Sequence, residues 1–271
     1  MAEMMKGNEA IAEAAIRAGA RFYAGYPITP SSEIMEYLSW RMNEVGGAFV
    51  QAESELAGIN MVIGASSCGV RALTASSGPG ISLKQEGIST LCDEGLPAVV
   101  ITQVRYGNGL GTLFTSQCDY HRETRGGGQG DYRCIVLCPS SIQEFVDLML
   151  PAYELAEKYR IVTIMMGEGT LGQMMEPVEL PDFVEPKRTP WALNGHYTYK
   201  KIGIFERDSM AEAVELRAKY AEIKENEQRW EEEDIVDADY VFVAYGVPGR
   251  ATLGAVRELR AAGEKVGLIR P

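Results

Sequence analysis

The chain has 271 residues, 46% hydrophobic and 24% charged, with a formal net charge of −12. That length builds one large or two medium domains. The negative balance argues against a nucleic-acid or anionic-membrane partner, and neither a bilayer-spanning apolar run nor a basic-then-apolar leader after Met1 is present, so a cytoplasmic protein is expected.

The first two-thirds of the chain alternates helix and strand. Asn8 stands where it would cap a helix carrying Ile11, Ala14, Ala15 and Ala18 on one face, with Gly19 to end it. Arg21 to Tyr26 reads as a buried strand, broken by Pro27-Ile28-Thr29-Pro30. Ser31 or Ser32 caps the next helix, through Ile34, Tyr37, Leu38, Met42 and Val45. Further strands are expected over 48–51, 70–75, 97–103, 134–137 and 161–166. Helices are expected over 53–67 and 81–91, and from Ser140-Ser141 to Tyr159 with a kink at Pro151. This alternation predicts the α/β class, a parallel sheet with helices on both faces. Ligands of such sheets sit beyond the carboxyl ends of the strands, here the loops after Tyr26, Gln51, Ala75, Gln103 and Leu137.

Pro177, Pro181, Pro186 and Pro190 then mark a surface connector, followed by a charged helix over 210–230 running into Glu231-Glu232-Glu233-Asp234, read as a solvated arm. A strand over 239–245, a helix over 251–262 closed by Gly263, and a strand over 266–269 start a second α/β unit. One βαβ unit cannot cover both faces of a sheet, so this domain is expected to be either incomplete here or completed by residues beyond this sequence. The expected organisation is 1–176, a linker 177–236, and 237–271. The five cysteines show no C-x-x-C and read as free thiols, and they lack the spacing of an iron–sulfur ligand set.

Four strand ends carry chemistry. Pro27 and Pro30 hold Thr29 at the entry to a helix, where free N–H groups favour a carboxylate or phosphate; a proline-shaped turn with a capping serine is the plainer reading. Glu53-Ser54-Glu55 opens an apolar helix. One acid there serves the helix dipole, and two suggest that one is partly buried with a raised proton affinity. Thr74-Ala75-Ser76-Ser77-Gly78-Pro79-Gly80 has the build of a backbone cradle, but is neither a P-loop nor G-x-G-x-x-G. Arg105 follows a strand and could grip a carboxylate through two parallel hydrogen bonds. Gly126-Gly127-Gly128-Gln129-Gly130-Asp131 is a lid or simply a loop. His121 and His196 have neither a G-x-S-x-G serine nor metal-ligand spacing.

In order, Gly25-Tyr26-Pro27-Ile28-Thr29-Pro30-Ser31, Glu53-Ser54-Glu55, Ser76-Ser77-Gly78-Pro79-Gly80 and Arg105 resemble the 2-oxoacid:ferredoxin oxidoreductases, over about Met5 to Gln173 and again from near Ala238. Lys6-Gly7-Asn8-Glu9-Ala10, Ile81-Ser82-Leu83-Lys84-Gln85-Glu86-Gly87 and Gly126 to Arg133 are most similar to alpha-type chains acting on branched-chain 2-oxoacids. The resemblance implies a thiamine-diphosphate-binding fold of the pyrimidine type, with the second unit similar to a transketolase C-terminal domain. It also implies that Glu55 hydrogen-bonds the ring nitrogen, that Tyr26, Pro27, Ile28, Ser77, Gly78 and Pro79 line the cofactor, and that Thr29 and Arg105 hold the substrate carboxylate. No metal ligand is expected here. A Gly-Asp-Gly with a following Asn is lacking, so the diphosphate and Mg²⁺ are implied to sit on a beta-type subunit and the iron–sulfur clusters on partner subunits, with gamma-type and ferredoxin-like subunits also in the complex. The implied reaction takes a 2-oxoacid, 3-methyl-2-oxobutanoate first and 2-oxoglutarate second, with CoA and ferredoxin. A non-catalytic scaffold on the same fold and a stand-alone binding module are the rival readings.

Overall fold

The computed structural model describes residues 2–185, 189–193 and 209–271; Pro186 and His196 of the preceding reading lie outside them. The chain divides into two compact units, Met1–Asn194 and Gly195–Pro271.

The first unit runs β1 (Glu3–Lys6), α1 (Gly7–Arg17), β2 (Phe22–Gly25), α2 (Ser32–Glu44), β3 (Ala48–Gln51), α3 (Glu55–Ser67), β4 (Ala72–Ser76), α4 (Gly78–Asp93), β5 (Ala98–Val104), α5 (Tyr120–Arg125), β6 (Ile135–Leu137), α6 (Ile142–Tyr159), β7 (Val162–Glu168), α7 (Gly169–Gln173) and β8 (Met175–Val178). Six strands form one sheet in the order β3-β2-β4-β5-β7-β6, every pair parallel. The central strands β5 and β7 are buried at every residue, as near-continuous apolar runs such as Ala98-Val99-Val100-Ile101 require. Right-handed crossovers send α3 and α4 to one face and α2 and α6 to the other. Accordingly α3 packs on α4, and α1 packs on both α2 and α6. Ser54 caps α3 by accepting from the Ala57 N–H, and Ser141 caps α6 by accepting from the Glu144 N–H. Helix α6 continues through Pro151 to Tyr159.

Several local expectations are corrected. Asn8 does not cap α1; it lies within the helix, fully buried, and its amide is spent elsewhere. Ser31 precedes α2 but donates its hydroxyl to the Ile28 carbonyl rather than capping an N–H. Helix α4 begins at Gly78, so Gly78-Pro79-Gly80 is its first turn and not a loop before it. The pair β1–β8 is antiparallel, joining Lys6 to Met175. These two short strands, with no alternating pattern, left no mark in the sequence.

The second unit contains α8 (Ser209–Asn226), β9 (Glu231–Glu233), β10 (Tyr240–Val243), α9 (Gly246–Ala261) and β11 (Val266–Arg270). Its sheet runs β10-β11-β9. The acidic run read as an arm is in fact an edge strand, antiparallel to β11, and Arg270 and Arg257 pair with Glu231 and Glu233. Val256, Val266 and Leu268 form its small core, while all four residues of β10 remain exposed.

Candidate active site

Strand order changes direction beside β2: the chain leaves β2 outward to β3, then returns past it to β4. At such a switch the loops diverge to opposite faces and leave a crevice at the carboxyl ends. The sequence motifs stand at four neighbouring carboxyl ends: the Tyr26–Ser31 turn after β2, Glu55 after β3, Ser77 to Gly80 after β4, and Arg105 after β5.

Glu55 and Glu53 separate cleanly. Glu53 is exposed, whereas Glu55 is 7% exposed and occupies the first turn of α3. Among the described residues no donor is hydrogen-bonded to the Glu55 carboxylate. It lies against Gly80 in the first turn of α4: a Cβ at position 80 would stand 2.6 Å from Glu55 Oε1 and fall onto Ser76 Oγ. The hydroxyls of Thr74, Ser76 and Ser77 are buried on and after β4 without a hydrogen-bond partner among the described residues. Orphaned buried hydroxyls cost stability unless a ligand satisfies them. A flat heterocycle with ring nitrogens fits this set: one acidic side chain, a glycine-faced wall and hydroxyls to spare.

Arg105 is 8% exposed. Its Nη1 donates to the Thr29 carbonyl and Nη2 to the Leu110 carbonyl, each at 2.7 Å. Its Nε, without a partner among the described residues, faces Gly78, where a Cβ would stand 3.0 Å away. The guanidinium therefore already ties two loops together, with Nε and the remaining N–H of each terminal nitrogen left for a substrate. Thr29 is exposed, the Thr29–Pro30 bond is cis, and Tyr26, Pro27 and Ile28 form the outer lip of the turn, Tyr26 and Pro27 exposed and Ile28 half-buried.

A polar network behind that turn was not anticipated. The Pro30 carbonyl accepts from Asn8 Nδ2 at 2.7 Å and Gln173 Nε2 at 3.3 Å; Asn8 Nδ2 also reaches Glu33, and Asn8 Oδ1 accepts from Gln103. Against the pull of burial, hydrogen bonds from Lys6, from its own backbone, from Gln173 and from Asn8 hold the Glu33 carboxyl down to about 2. Arg122 was also missed. It joins Asp119, just before α5, and Glu123 on α5 to the Gly78 carbonyl and Ser82 hydroxyl of α4. Burial pushes the Glu123 carboxyl up to about 7, against the Arg122 charge. Lys84 is a third omission, although its spacing with Ile81, Ile88 and Leu91 puts it on the buried face of α4, which is the signal that could have found it.

The glycine loop is pinned rather than loose. The Gly127 N–H donates to Gln85 Oε1, and the Gly127 and Gly128 N–H groups donate to the Tyr132 hydroxyl. His121 is exposed against Tyr120. The five cysteines are free, with Cys92 and Cys134 sulfurs 3.7 Å apart. Among the described residues no helix is long and apolar enough to cross a membrane.

Residues 13–240 match the family described as "Pyruvate flavodoxin/ferredoxin oxidoreductase, thiamine diP-bdg". The chain is 49% identical to the ketoisovalerate oxidoreductase subunit VorB of Methanothermobacter marburgensis, over 99% of this chain and 78% of that protein. It is 38% identical to the 2-oxoglutarate synthase subunit KorA of Methanocaldococcus jannaschii, over 99% and 81%. Among solved structures, the 2-oxoglutarate:ferredoxin oxidoreductase of Magnetococcus marinus, with 2-oxoglutarate, coenzyme A and succinyl-CoA bound, superposes with a TM-score of 0.89 at 26% identity; the match covers all of this chain but 53% of the other. Fold, family match and relatives agree: the chain belongs to the thiamine-diphosphate-binding family of the pyruvate flavodoxin/ferredoxin oxidoreductases, with the alpha-type subunits of 2-oxoacid:ferredoxin oxidoreductases.

Proposed function

We propose that this chain provides the pyrimidine half of an active site shared between subunits, in an enzyme that converts a 2-oxoacid, CoA and oxidised ferredoxin to acyl-CoA, CO2 and reduced ferredoxin. The observation that carries this is the Glu55 carboxylate, nearly buried, without a hydrogen-bond donor among the described residues and set against Gly80. When bound, thiamine diphosphate supplies the nucleophilic carbon and the electron sink. Glu55 holds a proton at a ring nitrogen of the cofactor, and the Ser76 and Ser77 hydroxyls with the Gly78-Pro79 turn and the Tyr26-Pro27-Ile28 lip hold the ring in place. Thr29 and the spare N–H groups of Arg105 orient the substrate carboxylate.

The remaining parts are assigned to other polypeptides. The sequence has no Gly-Asp-Gly with a following Asn; we assign Mg²⁺ and the diphosphate to a beta-type subunit and the iron–sulfur clusters to partner subunits, in a complex that includes gamma-type and ferredoxin-like chains. Residues 237–271 are assigned to the start of a transketolase C-terminal-like domain, with 177–236 as the connector to 1–176, and the complex to the cytoplasm. For the substrate, 3-methyl-2-oxobutanoate leads. The name of the 49%-identical relative supports it. So does the loop that Arg105 holds, which presents Leu110, Leu113 and Phe114 to the outside. A dicarboxylate such as 2-oxoglutarate calls for a second cation, and Arg122 is spent on Asp119, Glu123 and Gly78.

Co-purified with its partner subunits, the complex is expected to reduce a viologen dye only with both a 2-oxoacid and CoA present, and fastest with a branched-chain acid in a substrate panel. Glu55→Gln should lower turnover at least a hundredfold. Full turnover by that variant would overturn the role of Glu55, and a preference for 2-oxoglutarate would overturn the substrate.

A further inference from the structure

Lys84 has no exposed surface. It extends from the second turn of α4 to the first turn of α3, where its Nζ donates to the Glu55 carbonyl oxygen at 3.3 Å. Gly58 makes room for it, since a Cβ there would stand 3.3 Å from Nζ, 3.3 Å from Gly25 Cα and 3.4 Å from the Ala24 carbonyl oxygen. Among the described residues no carboxylate lies within ion-pair distance of it. Glu55 stands in the first turn of α3, and Arg122 and Glu123 stand on α5, whose Arg122 is hydrogen-bonded to Gly78 and Ser82 of α4. Of these, the Glu55 carboxylate alone raises the proton affinity of Lys84, against the stronger pull of burial, which brings it down to about 8.

A buried ammonium with one long hydrogen bond is a poor way to stabilise a fold. A methionine of the same length fills the space without a desolvated charge, and such replacements of buried ions are often neutral or stabilising. The charge is instead spent on the backbone of the one acid that rests against Gly80. We infer that Lys84 is a positioning residue for Glu55: its ammonium, seated on the Glu55 carbonyl, fixes the first turn of α3 and with it the place of the Glu55 carboxyl against Gly80. The inference rests on the role proposed above for Glu55. It makes α4 more than a wall, since the helix that presents Gly80 to the cofactor also carries the cation that sets the position of the acid opposite.

The test uses the complete complex with Lys84→Met, Lys84→Gln and Glu55→Gln. Three quantities are measured: melting temperature, thiamine diphosphate affinity against pH, and the rate at which the thiazolium C2 proton of the bound cofactor exchanges with deuterium in the absence of substrate. Both Lys84 variants should melt at or above the wild-type temperature. At pH 7 they should exchange at least tenfold more slowly. The KM for the 2-oxoacid should stay within twofold. Wild-type exchange in either variant would overturn the inference, as would a lowered melting temperature, which marks a structural lysine. If Glu55→Gln itself exchanges at the wild-type rate, the reading of Glu55 fails and this inference with it. If Glu55→Gln is slow and both Lys84 variants are normal, the inference about Lys84 fails alone.

Discussion

Arg105 Nη1 donates to the Thr29 carbonyl oxygen at 2.7 Å, so the end of β5 holds the turn that follows β2. The same guanidinium holds Leu110 through Nη2. A lysine is a single point of charge and cannot serve both carbonyls and a substrate. Arg105→Lys is therefore expected to lower kcat/KM for the 2-oxoacid by roughly thirtyfold, about the loss of one charge-assisted hydrogen bond of ~2 kcal/mol. Affinity for the cofactor should be nearly unchanged. Steady-state kinetics beside a titration with thiamine diphosphate separates the two.

Gly80 is the wall on which the Glu55 carboxyl rests. Alanine there would fall onto Ser76 Oγ and within 2.6 Å of Glu55 Oε1. Gly80→Ala should weaken cofactor binding at least tenfold and cost about 1–3 kcal/mol of stability, the usual range for overpacking. Calorimetric titration of the assembled complex measures the first, and thermal unfolding the second. Wild-type affinity would mean that the ring does not lie against position 80.

The Glu33 carboxyl is held at about 2, below its ordinary value of 4.5. Its ionised form is thus favoured by folding. This contribution is complete above about 4.5 and is lost as the pH falls from there through about 2. Acid unfolding should be less steep in Glu33→Gln over that interval. The same variant frees Asn8 and Gln173 from one acceptor each, so a modest rise in KM for the 2-oxoacid is expected through the Pro30 turn.

Glu123 has the opposite sign. Burial raises its carboxyl from 4.5 to about 7. Between those values the folded chain binds more protons than the unfolded one, so stability falls as the pH rises from about 4.5 through about 7. Glu123→Gln should flatten this part of the profile and leave the variant relatively more stable at pH 8. Melting temperatures from pH 4 to 9 provide the check.

The elements legible in the sequence were those with strong local signals. Ala48–Gln51 was bounded correctly at both ends, and β5, β7 and α6 within one or two residues, because apolar runs and a serine cap announce themselves. The strand ends carrying Thr29, Glu55, Gly78 and Arg105 were legible for the same reason: prolines, glycines and charges interrupt apolar runs there. What could not be read was the partner of each group. Asn8 looks like a cap in sequence, but Pro30 and Gln103 reach it only through the folded sheet. Glu231-Glu232-Glu233 looks like solvated charge, and becomes a strand because Arg257 and Arg270 arrive from elsewhere in the chain. Lys84 looks like a surface lysine until the face of α4 is counted.

Lys84 reaches the Glu55 carbonyl oxygen because two helices approach closely, and the approach is set at Gly58 and Gly87. A Cβ at position 87 would stand 2.6 Å from both Cγ atoms of Ile59. The two helices are thus mated along a seam with no slack. A single methyl group inserted there would act as a wedge, and its displacement would arrive at the head of α3, far from the insertion. Mutations that abolish catalysis in this chain need not border the crevice, and a survey of inactive variants should find a second cluster along this seam.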